Sequence, residues 1–424
     1  MLSFEAAATF RKKPAPADMH DLPTSPATPP RAAGRKQGAD KPYRFGFVLT
    51  STIGNMTRYL NLRKYAERDD EVEFAWAPVH HYTPPDLASP LRFLPAPLLM
   101  RARVLQQAYP VMRQLDRLDA VMIHLFEADL LCALRSYLHR TPLRISSTDD
   151  APITDRNTYP LYPHDLRKPV WRQKMRLSLD LWRIRRTDCF VPFSQWAADI
   201  LVRDCAVPAD RVHALHVGLD PSIWQCRPRP EPSPGARLKL LFVGTDFERK
   251  GGGLLLDVFA RHFQGRAELH LVTKQAPSSL PPNVIVHDRF EPNDPALVDL
   301  YSRVDVLVIP TTADTGPLWG FMEAMAMGLP VIGTDTGSNT ELVRHQDTGL
   351  IVRIGDGEDL ARAIETLAQN PAMRRDMGEH GRQLIATRYN AAINVPRILR
   401  VMKDAVDASR RSTRKSSSVS EHSA

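Results

Sequence analysis

Two cations, Arg249 and Lys250, stand directly before three glycines, Gly251, Gly252 and Gly253. The apolar run KLLFVG ends upstream at Gly244, and GLLLDVFARHF downstream repeats apolar residues at helical spacing. This reads as strand, loop and helix. A loop that leaves the carboxyl end of a strand and enters a helix offers free N–H groups and the positive end of the helix dipole to an anion. The glycines let backbone approach a phosphate closely, and the side chains add two charges. A solvated charged turn whose glycines ease helix entry is the other reading. Glu323 is the second candidate. It sits in the first turns of a helix just beyond the run VDVLVIP. Its carboxylate there suits the two hydroxyls of a ribose, or it only stabilises the helix start. Met322, Met325 and Met327 beside it read as core.

The elements that must position these groups follow from hydrophobic pattern. Apolar runs FGFVLT (45–50), AVMIHL (120–125), LRISST (143–148) and CFVPFS (189–194) precede a proline-rich break. KLLFVG (239–244), LHLVT (269–273), VDVLVIP (304–310) and LPVIGT (329–334) follow it. Short apolar runs bounded by polar turns, with amphipathic helices between, predict parallel strands covered on both faces. The break, RPRPEPSPGAR, is a linker by composition. The expected organisation is a disordered extension over 1–42, a Rossmann-like domain over 43–219 and a linker over 220–236. A second Rossmann-like domain over 237–388 follows, then a C-terminal helix over 389–408 able to pack back on the first domain, and a disordered tail over 409–424. The fold class is α/β, two doubly wound domains across a cleft.

Composition sets the outer bounds. The 424 residues are 43% hydrophobic and 25% charged, as in ordinary globular proteins, which excludes fibres and wholesale disorder. No run reaches the ~20 apolar residues of a spanning helix, and the N-terminus lacks the apolar core of a secretory leader. The four cysteines form no Cys-x-x-Cys pair, so a reducing cytoplasm is expected. The net charge of +8 is not a nucleic-acid footprint. Residues 1–42 and 409–424 each carry +3, and Arg167–Arg186 alone carries eight basic residues against Asp180. The remainder is mildly acidic.

The combined pattern is similar to a known family. Gly244-x5-Lys250-Gly251, the strand ending at Pro310, Glu323-Ala-Met-Ala-x-Gly328-x-Pro330-Val-Ile, Glu341 and Thr348-Gly349-Leu-Ile-Val resemble a retaining glycosyltransferase of the GT-B fold, family 4 type. Phe193-Ser194 and Val217-Gly218-Leu-Asp220 resemble its domain junction. The resemblance spans about residues 43–405. It implies a UDP- or GDP-linked sugar donor held mainly by the second domain, with no cofactor. Lys250 would then contact the diphosphate and Glu323 the ribose. The Gly54 loop would approach donor and acceptor, and His124, which on its own reads more readily as a core histidine, would lie near the transferred sugar. Two positions depart from the family. Thr245 stands where an arginine is common, with Arg249 able to supply the charge. The first of the family's two acids falls at Thr315, and a one-residue insertion would make Asp314 its equivalent, contacting the donor sugar.

Such a transfer breaks a C–O bond as positive charge grows at the anomeric carbon and negative charge on the leaving diphosphate. A Lys/Arg pair can stabilise that charge. The chain contains no Asp-x-Asp sequence, so no metal is expected, and His80-His81 reads as structural. Asp149-Asp150 reads as a turn or an acceptor contact. Retention comes from the resemblance, since no residue marks a nucleophile. Arg167–Arg186 places Trp171, Met175, Leu179 and Trp182 on one face of a basic helix, and LRFLPAPLLMRARVL (91–105) is similar in character. Either these helices cover the sheet or they touch an anionic membrane. The expectation is a cytoplasmic glycosyltransferase of polysaccharide or glycoconjugate assembly, with peripheral membrane contact left open. A catalytically silent module that binds a nucleotide sugar is the alternative from another class.

Overall fold

The computed structural model of the chain describes residues 42–51, 54–80, 96–124, 126–135, 142–148, 169–226, 235–316 and 319–421. The 1–42 extension apart from its last residue, Asp149-Asp150, His81 and most of the proline-rich linker lie outside the described residues.

The first lobe alternates strands β1 (Tyr43–Thr50), β2 (Val72–Val79), β3 (Ala120–Ile123), β4 (Leu143–Ser146) and β5 (Cys189–Phe190) with helices. Those helices are α1 (Gly54–Ala66), α2 (Ala96–Met112), α3 (Phe126–Arg135), α4 (Val170–Ile184) and α5 (Gln195–Arg203). The strand order is β2-β1-β3-β4-β5, all parallel. The alternation of β1 explains its two faces. Phe45, Phe47 and Leu49 point into one core with α1, while Val48 points into another with α2 and α3.

The second lobe contains β6 (Leu238–Val243), α6 (Gly252–Val258), β7 (Ala267–Val272), β8 (Val284–His287), α7 (Pro295–Arg303) and β9 (Val306–Val308). It continues through α8 (Trp319–Ala326), β10 (Val331–Thr334), β11 (Gly349–Val352), α9 (Gly357–Gln369) and α10 (Pro371–Arg388). Its order, β11-β10-β9-β6-β7-β8, is again all parallel. Met322, Met325 and Met327 are buried in its core, as their spacing predicts.

The last helix, α11 (Ala391–Glu421), returns to the first lobe. Val395, Ile398, Leu399, Met402 and Val406 join Phe45, Phe47 and Tyr59 in one core. Lys403 binds Asp69 and Glu71, and Arg410 binds Asp119. The helix therefore runs past residue 409, where the sequence reading begins a disordered tail. No proline or glycine interrupts Ser409–Glu421, so nothing in the chain forces a stop. The linker reading is corrected in part as well. Asp220 is fully buried and accepts from Tyr65, Lys64 and Ser222, and Trp224 packs on Tyr301 in the second core. The two crossings of the chain lie side by side, Leu219 donating to Tyr389 and Ala391 donating to Leu219.

Candidate functional site

Parallel sheets deliver their loops to the carboxyl edge, where ligands of open α/β folds bind. In the second lobe β6 ends at Gly244, and a Cβ there would press 3.0 Å from the Lys250 side chain. The loop then folds back so that Gly251, at φ +79°, packs against the Pro310 carbonyl beyond β9; any side chain at Gly251 would collide with it. Arg249 and Lys250 are held beside the loop that follows β9. Their common partner is Asp314. Lys250 Nζ reaches both carboxylate oxygens, at 2.9 and 2.8 Å, and Arg249 donates to one at 2.9 Å. Arg249 also binds Asp246 and the Ala313 carbonyl, and Thr311 Oγ1 donates to Asp314 at 2.6 Å. Behind Asp314 lies Gly337, at φ +53°, on the loop after β10. Burial pulls the Lys250 ammonium below the usual lysine range, against the opposing pull of Asp314.

Glu323 is on α8 and only 7% exposed. It accepts from Tyr301 Oη at 2.8 Å, and burial pushes its carboxyl up to about 7. Tyr301 in turn is raised well above the ordinary tyrosine value by burial and by Glu323.

In the first lobe Gly54 opens α1 and His124 follows β3. His124 Nδ1 lies 3.1 Å from Thr50 Oγ1, and its ring stacks on Phe193. Two further residues here, Arg58 and His216, are not singled out by any motif in the sequence. Arg58 is 1% exposed, donates to Ser147 Oγ and lies 4.3 Å over the Phe193 ring. His216 is buried between Phe193, Trp319 and Tyr389, and its Nδ1 accepts from Gly218 N. Glu341, quoted for its place in the pattern alone, accepts from the backbone N–H of Gln195 and Trp196 at the start of α5. Ser194 caps the next free N–H of that helix, on Ala197. The His216–Trp319 and Glu341–α5 contacts join loops from the carboxyl edges of both sheets. Arg58 carries a weak signal in its spacing of four from Gly54, and His216 carries none.

Thus Arg249, Lys250 and Asp314 form one cluster, Glu323 sits on the helix that the same β9 loop enters, and His124 belongs to the opposite lobe. A separate cavity of about 520 Å³ is lined by Leu254, Arg261, His262 and Ile354 among others, and shares none of these residues.

Known proteins share parts of this sequence and its fold. Residues 237–370 match the family described as glycosyl transferases group 1. MMP alpha-(1->4)-mannosyltransferase of Mycolicibacterium hassiacum is 29% identical over 44% of this chain and 46% of its own length. The amylovoran biosynthesis glycosyltransferase AmsK of Erwinia amylovora is 24% identical over 51% of this chain and 56% of its own. The chain therefore spans about half the length of these curated relatives. Among solved structures, sucrose-phosphate synthase of Thermosynechococcus elongatus superposes with a TM-score of 0.67, at 16% identity, over 86% of this chain and 100% of that one. HepE of Anabaena in complex with UDP-glucose gives 0.61, at 14% identity, over 85% and 99%. These likenesses show the fold, two Rossmann-like domains in the GT-B arrangement.

Proposed function

We propose that this chain transfers a sugar, with retention of configuration and without a metal, from a nucleoside diphosphate sugar to a glycan or lipid-linked acceptor in polysaccharide or glycoconjugate assembly. The observation that carries the reading is the convergence of Lys250 and Arg249 on one half-buried carboxylate at the carboxyl edge of the second sheet. Two half-buried cations so arranged suit a diphosphate, whose oxygens offer the same kind of acceptor as Asp314 does. The match of residues 237–370 to glycosyl transferases group 1, and the UDP-glucose bound by HepE, support the donor class. The biosynthetic role is supported by the name of the Erwinia relative.

In this mechanism Lys250 and Arg249 take the charge that grows on the leaving diphosphate. A fixed pair of cations does so without reorganising water at the moment of reaction. On arrival of the diphosphate Asp314 gives up the cations and turns to the donor sugar. Glu323 binds the ribose diol in its ionised form, and Gly244 and Gly54 admit the donor's backbone-close atoms. His124 lies against the transferred sugar. The acceptor hydroxyl attacks from the face the diphosphate leaves, its proton passing to a departing phosphate oxygen. Donor and pair of cations do the work that a metal does elsewhere, and no Asp-x-Asp pair is present to hold one. The location that suits such a donor is the cytoplasm.

A thermal-shift screen of nucleotide sugars tests the donor, since a ligand of the native state raises apparent stability by mass action. Lys250→Ala should lower turnover by about 10²–10³-fold, the scale of losing one charge-stabilising donor, with the fold intact. An unchanged rate refutes the assignment. The Asp314 carboxylate on both cations also favours a second reading, a silent nucleotide-sugar-binding module. Such a module would show a thermal shift and release no nucleotide.

A further inference from the structure

Helices α2, α3 and α4 form one layer on the first lobe. Val104, Ala108 and Val111 of α2 share a core with Ala128 and Cys132 of α3. Asp129 of α3 pairs with Arg183 of α4 and with Arg144. The inner side of this layer is thus satisfied. Its outer side is not what a water-facing helix layer presents. Among the described residues fourteen large hydrophobic side chains are exposed, and eight of them stand on these three helices. Trp171 and Met175 are each 60% exposed and Val170 57%; Leu98, Met100 and Leu134 are between 42% and 51%. The basic helix α4 covers the sheet only in part. Its last turns do, through Leu181 and Ile184. Its first turns do not.

We propose that this face docks the protein on an anionic lipid bilayer, with the opening between the lobes at the lipid surface. Charge selects the occupant. Arg101, Arg172, Lys174 and Arg176 are exposed among the apolar residues. The α2 sequence contains no acidic residue, and Asp180, the one acid of α4, is taken up by Arg176 and Arg183. A protein interface concentrates apolar residues in a dry centre and moves charge to the rim. Here cations and apolar groups alternate along the same turns, and the Arg172 guanidinium lies 5.2 Å from the Trp171 ring centroid. Such a mixture fits the headgroup region, where aliphatic and indole parts sink and cations meet phosphate. Topology gives the orientation. A crossover helix begins at the carboxyl edge of its sheet. The first turns of α2 and α4, with Leu98, Met100, Trp171 and Met175, therefore lie at the edge that meets the other lobe. The purpose of docking, delivery of a lipid-linked acceptor, rests on the sugar-transfer reading; the docking itself does not.

The test is flotation of the full chain with vesicles of phosphatidylcholine alone or mixed with phosphatidylglycerol. The chain should float with the mixed vesicles only. The triple variant R172E/K174E/R176E should bind them about a hundredfold more weakly, at about fivefold or more per charge. The variant W171A/M175A should lose about tenfold at equal charge. Circular dichroism of both variants checks the fold. Equal binding by the triple variant places the affinity in the basic terminal segments and overturns the proposal. So does binding that ignores phosphatidylglycerol, or no binding at all. UDP- and GDP-induced thermal shifts in the same preparations separate the two readings. A shift without flotation sinks the docking alone, and flotation without a shift sinks the donor assignment alone.

Discussion

Replacing Asp314 by asparagine removes the charge that holds the two candidate phosphate ligands while keeping the shape. The unliganded protein should be destabilised, because breaking a fully buried ion pair costs about 3–5 kcal/mol and this cluster is half-buried. The low end applies here. Arg249 keeps Asp246 and the Ala313 carbonyl, and the asparagine carbonyl still accepts one bond from Lys250. For a cooperative lobe of this size about 3 kcal/mol corresponds to a fall in Tm of about 6–12 °C. The response to ligand should move the other way. A diphosphate entering the wild type must displace Asp314 from both cations. In Asp314→Asn that competition is gone, and one charge-assisted bond of about 1.5–3 kcal/mol no longer has to be broken. UDP or GDP should then raise Tm more in the variant than in the wild type. The assay is thermal unfolding across a nucleotide titration, with turnover measured separately. A variant that loses its diphosphate response, or keeps the wild-type Tm, refutes the view that Asp314 and diphosphate share one pair of ligands.

Three further outcomes follow from the same geometry. Glu323 has its carboxyl raised to about 7 in the fold, so the folded chain binds the proton more tightly than the unfolded one. Its contribution to stability is therefore lost as pH rises from about 4.5 through about 7, and Glu323→Gln should flatten that slope in denaturant titrations. If the ionised carboxylate accepts the ribose diol, nucleotide affinity should rise over the same interval in the wild type and stay level in the variant. Glu341→Ala takes an anion from the start of α5 and should cost about 1 kcal/mol, with a rise in KM rather than a fall in kcat if its main effect is to hold the lobes in register. Leu399→Ala should cost about 2–5 kcal/mol by urea unfolding, since the residue is 1% exposed in the core of the lobe opposite its own chain neighbours.

The sequence by itself determined the two sheets and the place of the Arg249-Lys250-Gly251 loop between β6 and α6. Eight strands announce themselves as short apolar runs, because a parallel strand covered on both faces needs no polar alternation. The others carry weaker signals. β2, VEFAWAPV, contains a charge and a proline, and β8, VIVH, is a short, partly exposed edge strand. The Arg249-Lys250-Gly251 run and Glu323 were legible because their chemistry is local. A cation, a glycine at positive φ and a helix start lie within a few positions of one another. Only the tertiary structure decided which charges meet. Asp314 lies 64 residues from Lys250, and its count along the loop fits either a sugar contact or a cation partner. Packing of β9 beside β6 brings the two together. The same holds for Glu341 at α5, 146 residues from Gln195, and for the crossing of α11 to the first lobe. Contacts of that separation are set by how the sheets order and close. No periodicity of a few residues can encode them.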